Sequence, residues 1–164
     1  MKMNAVVAGV GMTQFGKHLE RGLKSLGGEA VEAALADAGL AKSDLQAAYV
    51  GNAAAGVVTG QECIRGQVIL RGIGIGAIPV INVENACASG STAVHLALQS
   101  LRAGAHDVVL ALGAEKMNIA DRARAFALFE GGWDVSRAQQ NYDTLIRMGD
   151  GVDVPAGSES DRPY

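Results

Sequence analysis

The chain is organised around residues 83–94, which read Val83-Glu84-Asn85-Ala86-Cys87-Ala88-Ser89-Gly90-Ser91-Thr92-Ala93-Val94. The apolar run at residues 78–83 has the composition of a strand, and it ends in polar residues followed by Cys87. Small residues come next, and apolar residues then recur at helical spacing as far as Leu101. The pattern therefore predicts that Cys87 lies in the turn between a strand and a helix.

That position has chemical consequences for Cys87. The first turn of a helix presents unpaired backbone N–H groups and a partial positive charge, which favour a thiolate over a thiol. The same N–H groups can stabilise the oxyanion that forms when a thioester is attacked. A free cysteine is, however, one of the most commonly buried residue types, so its position alone leaves both a structural and a nucleophilic role open.

The remaining pattern alternates strands with helices. We expect strands at residues 5–10, 47–50, 78–83 and 108–112, and helices at residues 19–38, 61–70, 91–103 and 121–129. Residues 51–60 are expected to form a loop, and the glycine-rich residues 71–76 are expected to end a helix. This alternation predicts a layered α/β domain with a mainly parallel sheet flanked by helices.

Composition excludes several classes of protein. The chain has 164 residues, a formal net charge of -3 and no cluster of Lys or Arg, which argues against a nucleic-acid surface. No apolar run reaches the roughly 18 residues that a membrane span needs, and the amino terminus does not resemble a signal peptide. The 2 cysteines are too few for a disulfide scaffold, and a reactive thiol suits the reducing cytoplasm, where we expect the protein.

Other residues with reactive side chains favour structural roles. Cys63 lies in a helical pattern and is expected to pack there, and the scattered His18, His95 and His106 have no metal-ligand spacing, so we expect no metal site. His95 is expected to point away from the turn at Cys87. The Gly9-x-Gly11 pair lacks the third glycine of a dinucleotide fingerprint, which makes nucleotide binding there improbable.

Several separated motifs resemble the thiolase family, in particular its sterol-carrier-protein-type and archaeal or bacterial branch. They are Gly9-Val-Gly-Met-Thr-Gln-Phe-Gly16-Lys17, Gln61-Glu-Cys-Ile-Arg-Gly-Gln67, Asn85-Ala86-Cys87-Ala88-Ser89-Gly90-Ser91 and Val108-Val109-Leu110-Ala111-Leu112-Gly113-Ala114-Glu115-Lys116-Met117. The resemblance covers the amino-terminal half of the family fold only. It implies a thiolase-like amino-terminal domain at residues 1–117. Residues 118–164 would begin an inserted loop region associated with acyl-CoA binding, inside which the chain is expected to stop.

The resemblance assigns a catalytic role to Cys87 alone, because the family's activating histidine and second catalytic cysteine belong to motifs of its other half. It implies an acyltransferase of lipid metabolism, in which Cys87 carries the acyl group during thiolysis of a 3-ketoacyl-CoA or the reverse Claisen condensation. Coenzyme A and acyl-CoA would be substrates, with no permanently bound cofactor. The implied assembly is a homodimer or tetramer, with a zinc-binding OB-fold protein as a possible further partner.

Two alternatives remain open. Ketoacyl synthases share the fold and a nucleophilic cysteine, so a ketoacyl-synthase-like condensing enzyme is the catalytic alternative. A non-catalytic half-subunit or fragment, which contributes structure and needs a second half or a partner, is the other.

Overall fold

The computed structural model describes residues 5–151 and divides into two compact units between Ala125 and Phe126. In chain order, the longer elements are α1 (Leu23–Ala38), β1 (Ala47–Gly51), α2 (Ala55–Thr59), α3 (Arg65–Gly72), β2 (Val80–Val83), α4 (Ser89–Arg102), β3 (Val109–Gly113), α5 (Arg122–Glu130) and α6 (Ala138–Met148). Short 3-10 turns occur at Lys42–Asp44, Ala86–Ala88 and Val135–Arg137. The division between the units falls inside α5, and the predicted boundary after residue 117 remains a prediction.

The first unit is built on a parallel sheet of 3 strands in the order β2-β1-β3. Ala48 of β1 lies opposite Val80 of β2 and Leu110 of β3. All the strands run in the same direction, so their carboxyl ends meet at one edge of the sheet. The predicted layered α/β fold with a parallel sheet and flanking helices is confirmed.

The hydrophobic core lies between one face of this sheet and helices α1 and α3. Ala48 and Val50 of β1 point into it, and Leu110 and Leu112 of β3 extend the same face. The helices contribute apolar side chains that the core buries: Leu23, Val31, Leu35, Ile69 and Leu70. Because side chains alternate along a strand, Gly51 belongs to the opposite face, where α4 packs against β1 and β3.

Helix α1 ends where the sequence predicts and begins later. Its last residue is Ala38, and Gly39 follows in the left-handed conformation, with φ of 67°, which glycine adopts without steric cost. The helix starts at Leu23 rather than at residue 19, because Gly22 precedes its first turn in an extended conformation. Leu19, the first residue of the predicted helix, is exposed.

The predicted buried strand at residues 5–10 is wrong. This segment is irregular, and its valines are exposed: Val6 is 87% exposed, and Val7 and Val10 are also mostly exposed. The segment runs along α1 instead of joining the sheet: the backbone N–H of Val10 donates to the Asp37 carboxylate at 2.9 Å. Gly9 comes so close to α1 that an added Cβ would clash with the carbonyl oxygen of Ala34.

The region between β1 and β2 also differs from its prediction. Residues 51–60, expected to form a loop, contain the short helix α2. The helix expected at residues 61–70 begins only at Arg65, because Ile64 takes a left-handed φ of 50° that a helix interior does not allow. Cys63 therefore lies outside the helix and is exposed, which overturns its predicted packing role.

The second unit contains the end of α5, the 3-10 turn Val135–Arg137 and α6. Helix α6 was not among the predicted elements. Trp133, the only tryptophan of the sequence, packs edge-on against Tyr142 with ring centroids 5.0 Å apart. A pocket of about 390 Å³ is lined by Phe126, Phe129, Glu130, Trp133 and Leu145. The last part of the region expected to begin an inserted loop, residues 152–164, lies outside the described residues.

Candidate functional site

Cys87 lies at the carboxyl edge of the sheet, where β2 passes into α4. It is the middle residue of the 3-10 turn Ala86–Ala88, and its side chain is exposed to solvent. The predicted position of Cys87 between a strand and a helix is confirmed. The residue before α4 is Ala88, whose methyl side chain cannot cap the helix, so the amino end of α4 is not neutralised by a capping carboxylate at that position.

The backbone before Cys87 has an uncommon conformation. Ala86 has a φ of 44°, in the left-handed region that residues other than glycine rarely adopt. Its N–H donates to Oε1 of Glu84 at 2.7 Å, and the N–H of Ala88 donates to the carbonyl oxygen of Asn85 at 2.9 Å. Local hydrogen bonds thus hold the chain in a tight turn that exposes the thiol.

Helix α4 begins in direct contact with the end of β1. A Cβ atom added to Gly51 would lie 2.6 Å from the carbonyl carbon and oxygen of Ser89 and 2.9 Å from the nitrogen of Gly90. Side-chain Cβ atoms essentially never lie within 3.0 Å of a non-bonded heavy atom. Any larger residue here would collide with α4. Only glycine lets the start of α4, and the turn that carries Cys87, pack this closely against the end of β1.

A second polar cluster lies at the same sheet edge. Asn52 follows β1 and is buried, and its Nδ2 donates to Oε1 of Glu115 at 2.8 Å and to the carbonyl oxygen of Ala114 at 2.7 Å. Oε2 of Glu115 accepts the N–H groups of Ala53 and Ala54, at 2.9 and 3.0 Å. Glu115 therefore ties the end of β3 to the start of α2.

The sequence predictions missed this cluster, although the sequence carries a signal for it. Asn52 and Glu115 are polar residues just after two strands expected in a parallel sheet, so they meet at the edge that carries Cys87. Lys116 was also missed: it is 6% exposed, and its Nζ donates to the carbonyl oxygens of His18 and Leu19. A long cationic side chain buried against backbone carbonyls has no signature in a local sequence pattern.

We expect Glu115→Ala to destabilise the first unit by about 1–3 kcal/mol, because two backbone N–H groups and the Asn52 amide lose their acceptor. Glu115→Gln keeps one carbonyl oxygen and should lose less. Urea unfolding of the purified protein measures both changes. Glu32→Ala is the matched control, since Glu32 is half-exposed and pairs with Lys42 on the surface, where ion pairs contribute little. An equal loss in both alanine variants would contradict the bridging role of Glu115.

The three histidines each have a hydrogen-bond partner away from Cys87. Nε2 of His18 lies 2.7 Å from the carbonyl oxygen of Gln14, and Nε2 of His95 lies 2.9 Å from Nε2 of Gln99. Nδ1 of His106 lies 2.7 Å from Oγ of Ser100. These partners favour the predicted structural roles.

Residues 5–151 hold neither a cluster of metal-binding side chains nor a membrane-spanning helix. That part of the chain contains no group of three or more His, Cys, Asp and Glu side chains arranged to hold a metal ion. Nor do its helices include one with the length and apolar character to cross a bilayer.

Comparison with known proteins shows to which family this chain belongs. Residues 5–154 match the amino-terminal domain of thiolases. An acetyl-CoA acetyltransferase of Methanocaldococcus jannaschii is 41% identical over 144 residues, which cover 87% of this chain and 34% of that protein. Sterol carrier protein 2 of Gallus gallus is 40% identical over 129 residues, which cover 77% of this chain and 23% of that protein.

One further relative and one solved structure also resemble this chain. The benzoylsuccinyl-CoA thiolase subunit BbsB of Thauera aromatica is 38% identical over 117 residues, covering 70% of this chain and 29% of the subunit. The structure of 3-oxoacyl-[acyl-carrier-protein] synthase III from Aquifex aeolicus VF5 shares the fold with a TM-score of 0.53 at 17% identity, over 60% of this chain and 31% of that one. The chain thus spans about a quarter to a third of the length of the curated relatives it matches. Through its match to the amino-terminal domain over residues 5–154, the chain belongs to the thiolase family.

Proposed function

We propose that Cys87 is the acyl-carrying nucleophile of a thiolase-type acyltransferase. The observation that carries this proposal is the exposed thiol in a strained turn at the amino end of α4. A thiolate is a strong nucleophile near neutral pH, and the thioester that it forms is a good acyl donor. The nearby helix end supplies positive potential where negative charge develops during attack.

The proposed reaction has two steps. The Cys87 thiolate attacks the keto carbon of a 3-ketoacyl-CoA, and the bond between C2 and C3 breaks with its electron pair going to C2, which is then protonated to give acetyl-CoA. The remaining acyl group stays on Sγ as a thioester. Coenzyme A then attacks this thioester, takes the acyl group and frees the thiolate; the reverse direction is a Claisen condensation. Coenzyme A enters as a substrate, and no resident cofactor or metal is proposed.

The proposal extends to assembly and location. β2 is an end strand of the sheet, and Ile81 on it is 37% exposed, which supports a homodimer or tetramer that pairs through this sheet. A zinc-binding OB-fold protein as a further partner rests on the family resemblance alone. A cytoplasmic location is supported by the two free, exposed cysteines.

The test is to incubate the protein separately with acetoacetyl-CoA and with acetyl-CoA, and to locate acetyl groups by peptide mass spectrometry. We expect acetylation of Cys87 from both donors. Cys63 is the internal control, because it is equally a free and exposed cysteine but lies in the irregular segment before α3 rather than in the 3-10 turn after β2.

Each other outcome contradicts part of the proposal. Acetylation of Cys87 from acetyl-CoA alone would exclude thiolytic cleavage and favour the ketoacyl-synthase-like alternative. Acetylation of neither cysteine, or of both at the same rate, would reject Cys87 as a specific nucleophile and favour the non-catalytic alternative.

A further inference from the structure

The hydroxyl of Ser89 makes two hydrogen bonds to the turn that carries Cys87. Its Oγ accepts the backbone N–H of Asn85 at 2.8 Å and donates to the carbonyl oxygen of Ala86 at 2.8 Å. That carbonyl belongs to the peptide bond that joins Ala86 to Cys87. Ser89 is only 5% exposed, so both bonds are shielded from competing water.

The turn needs such support because Ala86 is strained. A left-handed φ of 44° brings the Cβ of an alanine close to its own backbone, so the conformation persists only where its surroundings fix it. Glu84 provides one of the fixing bonds, to the N–H of Ala86, but Glu84 is exposed. The two bonds of Ser89 clamp the backbone on both sides of Ala86 from a buried position.

We propose that Ser89 is a positioning residue: its hydroxyl holds Ala86 in the left-handed conformation and so fixes the Cys87 thiol at the amino end of α4. Without these bonds, Ala86 relaxes to a negative φ, and the peptide leading to Cys87 rotates. The thiol then spends most of its time away from the helix end, and its reactivity falls in proportion to the population of the reactive conformer. This inference rests on the proposed function only in taking Cys87 as the reactive thiol.

Ser91 offers a matched comparison within the same helix. It is also a serine in the first turn of α4, but it is exposed, and its Oγ donates to the carbonyl oxygen of Ala88. This bond lies after Cys87 and does not touch Asn85 or Ala86. Truncating Ser91 removes a hydroxyl of the same kind without releasing the strained residue.

The experiment measures alkylation by iodoacetamide at both cysteines of the folded protein, with Cys63 as the internal reference. In Ser89→Ala we expect the ratio of the Cys87 rate to the Cys63 rate to fall about tenfold, the size expected when a buried hydrogen-bonding group is lost. In Ser91→Ala the ratio should stay at the wild-type value. Adding Ala86→Gly to Ser89→Ala should restore the ratio, because glycine adopts a positive φ without strain.

Three results would overturn the inference. An unchanged ratio in Ser89→Ala, with or without a lower thermal midpoint, would leave Ser89 a purely structural residue. A ratio that stays low after Ala86→Gly is added would show that strain at Ala86 is not what Ser89 opposes. If Ser89→Ala alone does not fold, the double variant decides: a wild-type ratio supports positioning, and a low ratio or failure to fold rejects it. Alkylation needs no acyl-CoA, so a failure of the proposed acyl transfer is distinguishable from a failure of this inference.

Discussion

Cys87→Ser should slow acetylation from acetoacetyl-CoA by at least about a thousandfold, the largest effect expected of any single substitution in this chain. Serine replaces sulfur by oxygen with little change in size, so the turn and α4 should keep their geometry. A hydroxyl, however, needs a neighbouring base to become a nucleophile. The rings of His18, His95 and His106 are each hydrogen-bonded elsewhere, to Gln14, Gln99 and Ser100.

The measurement is the rate at which the acetylated protein appears by intact-mass spectrometry, with circular dichroism to verify the fold. Cys63→Ser is the matched control and should acetylate within about twofold of the wild-type rate, since Cys63 lies in the irregular segment before α3. A Cys87→Ser protein that acetylates nearly as fast as the wild type would contradict the nucleophilic role. So would a Cys63→Ser protein that fails to acetylate.

The sheet and the position of Cys87 were predictable because their signals are local. A β-branched run followed by polar residues and a small-residue turn marks β2 and its passage into α4, and the same contrast marks β3 after α4. Gly39 likewise marks the end of α1, because a left-handed residue after a helix is most often glycine. Hydrophobic periodicity and the positions of the glycines were sufficient to predict these elements from the sequence.

What could not be predicted depends on contacts between distant residues. The apolar residues 5–10 have the composition of a strand, but packing against α1 and the bond from Val10 to Asp37 decide their course. Cys63 follows a helical pattern, yet the left-handed Ile64 delays α3 past it. At the site, the sheet topology predicts that Asn52 and Glu115 share an edge, but the hydrogen bond between them joins residues 63 positions apart and is not visible in any one window of sequence.

Gly51→Ala should both destabilise the first unit and displace the turn that carries Cys87. The new Cβ would meet the backbone of Ser89 at 2.6 Å, and backbone atoms cannot turn aside as a flexible side chain can. The start of α4 must therefore move outward by roughly 1 Å to reach an ordinary contact distance. Overpacking of this kind costs about 1–3 kcal/mol, and we also expect the ratio of the Cys87 to the Cys63 alkylation rate to fall, because the turn moves with the helix.

Gly113 supplies the matched control, since it ends β3 directly opposite Gly51 in the register of the sheet. A Cβ at Gly113 would meet its nearest neighbour, Cα of Gly90, at 3.8 Å, an ordinary van der Waals contact. Gly113→Ala should therefore change the free energy of unfolding by less than about 0.5 kcal/mol and leave the alkylation ratio unaltered. Urea unfolding and alkylation of both variants separate contact with α4 from the general effect of alanine at a strand end. Equal behaviour of the two variants would mean that the approach of α4 to Gly51 does not position Cys87.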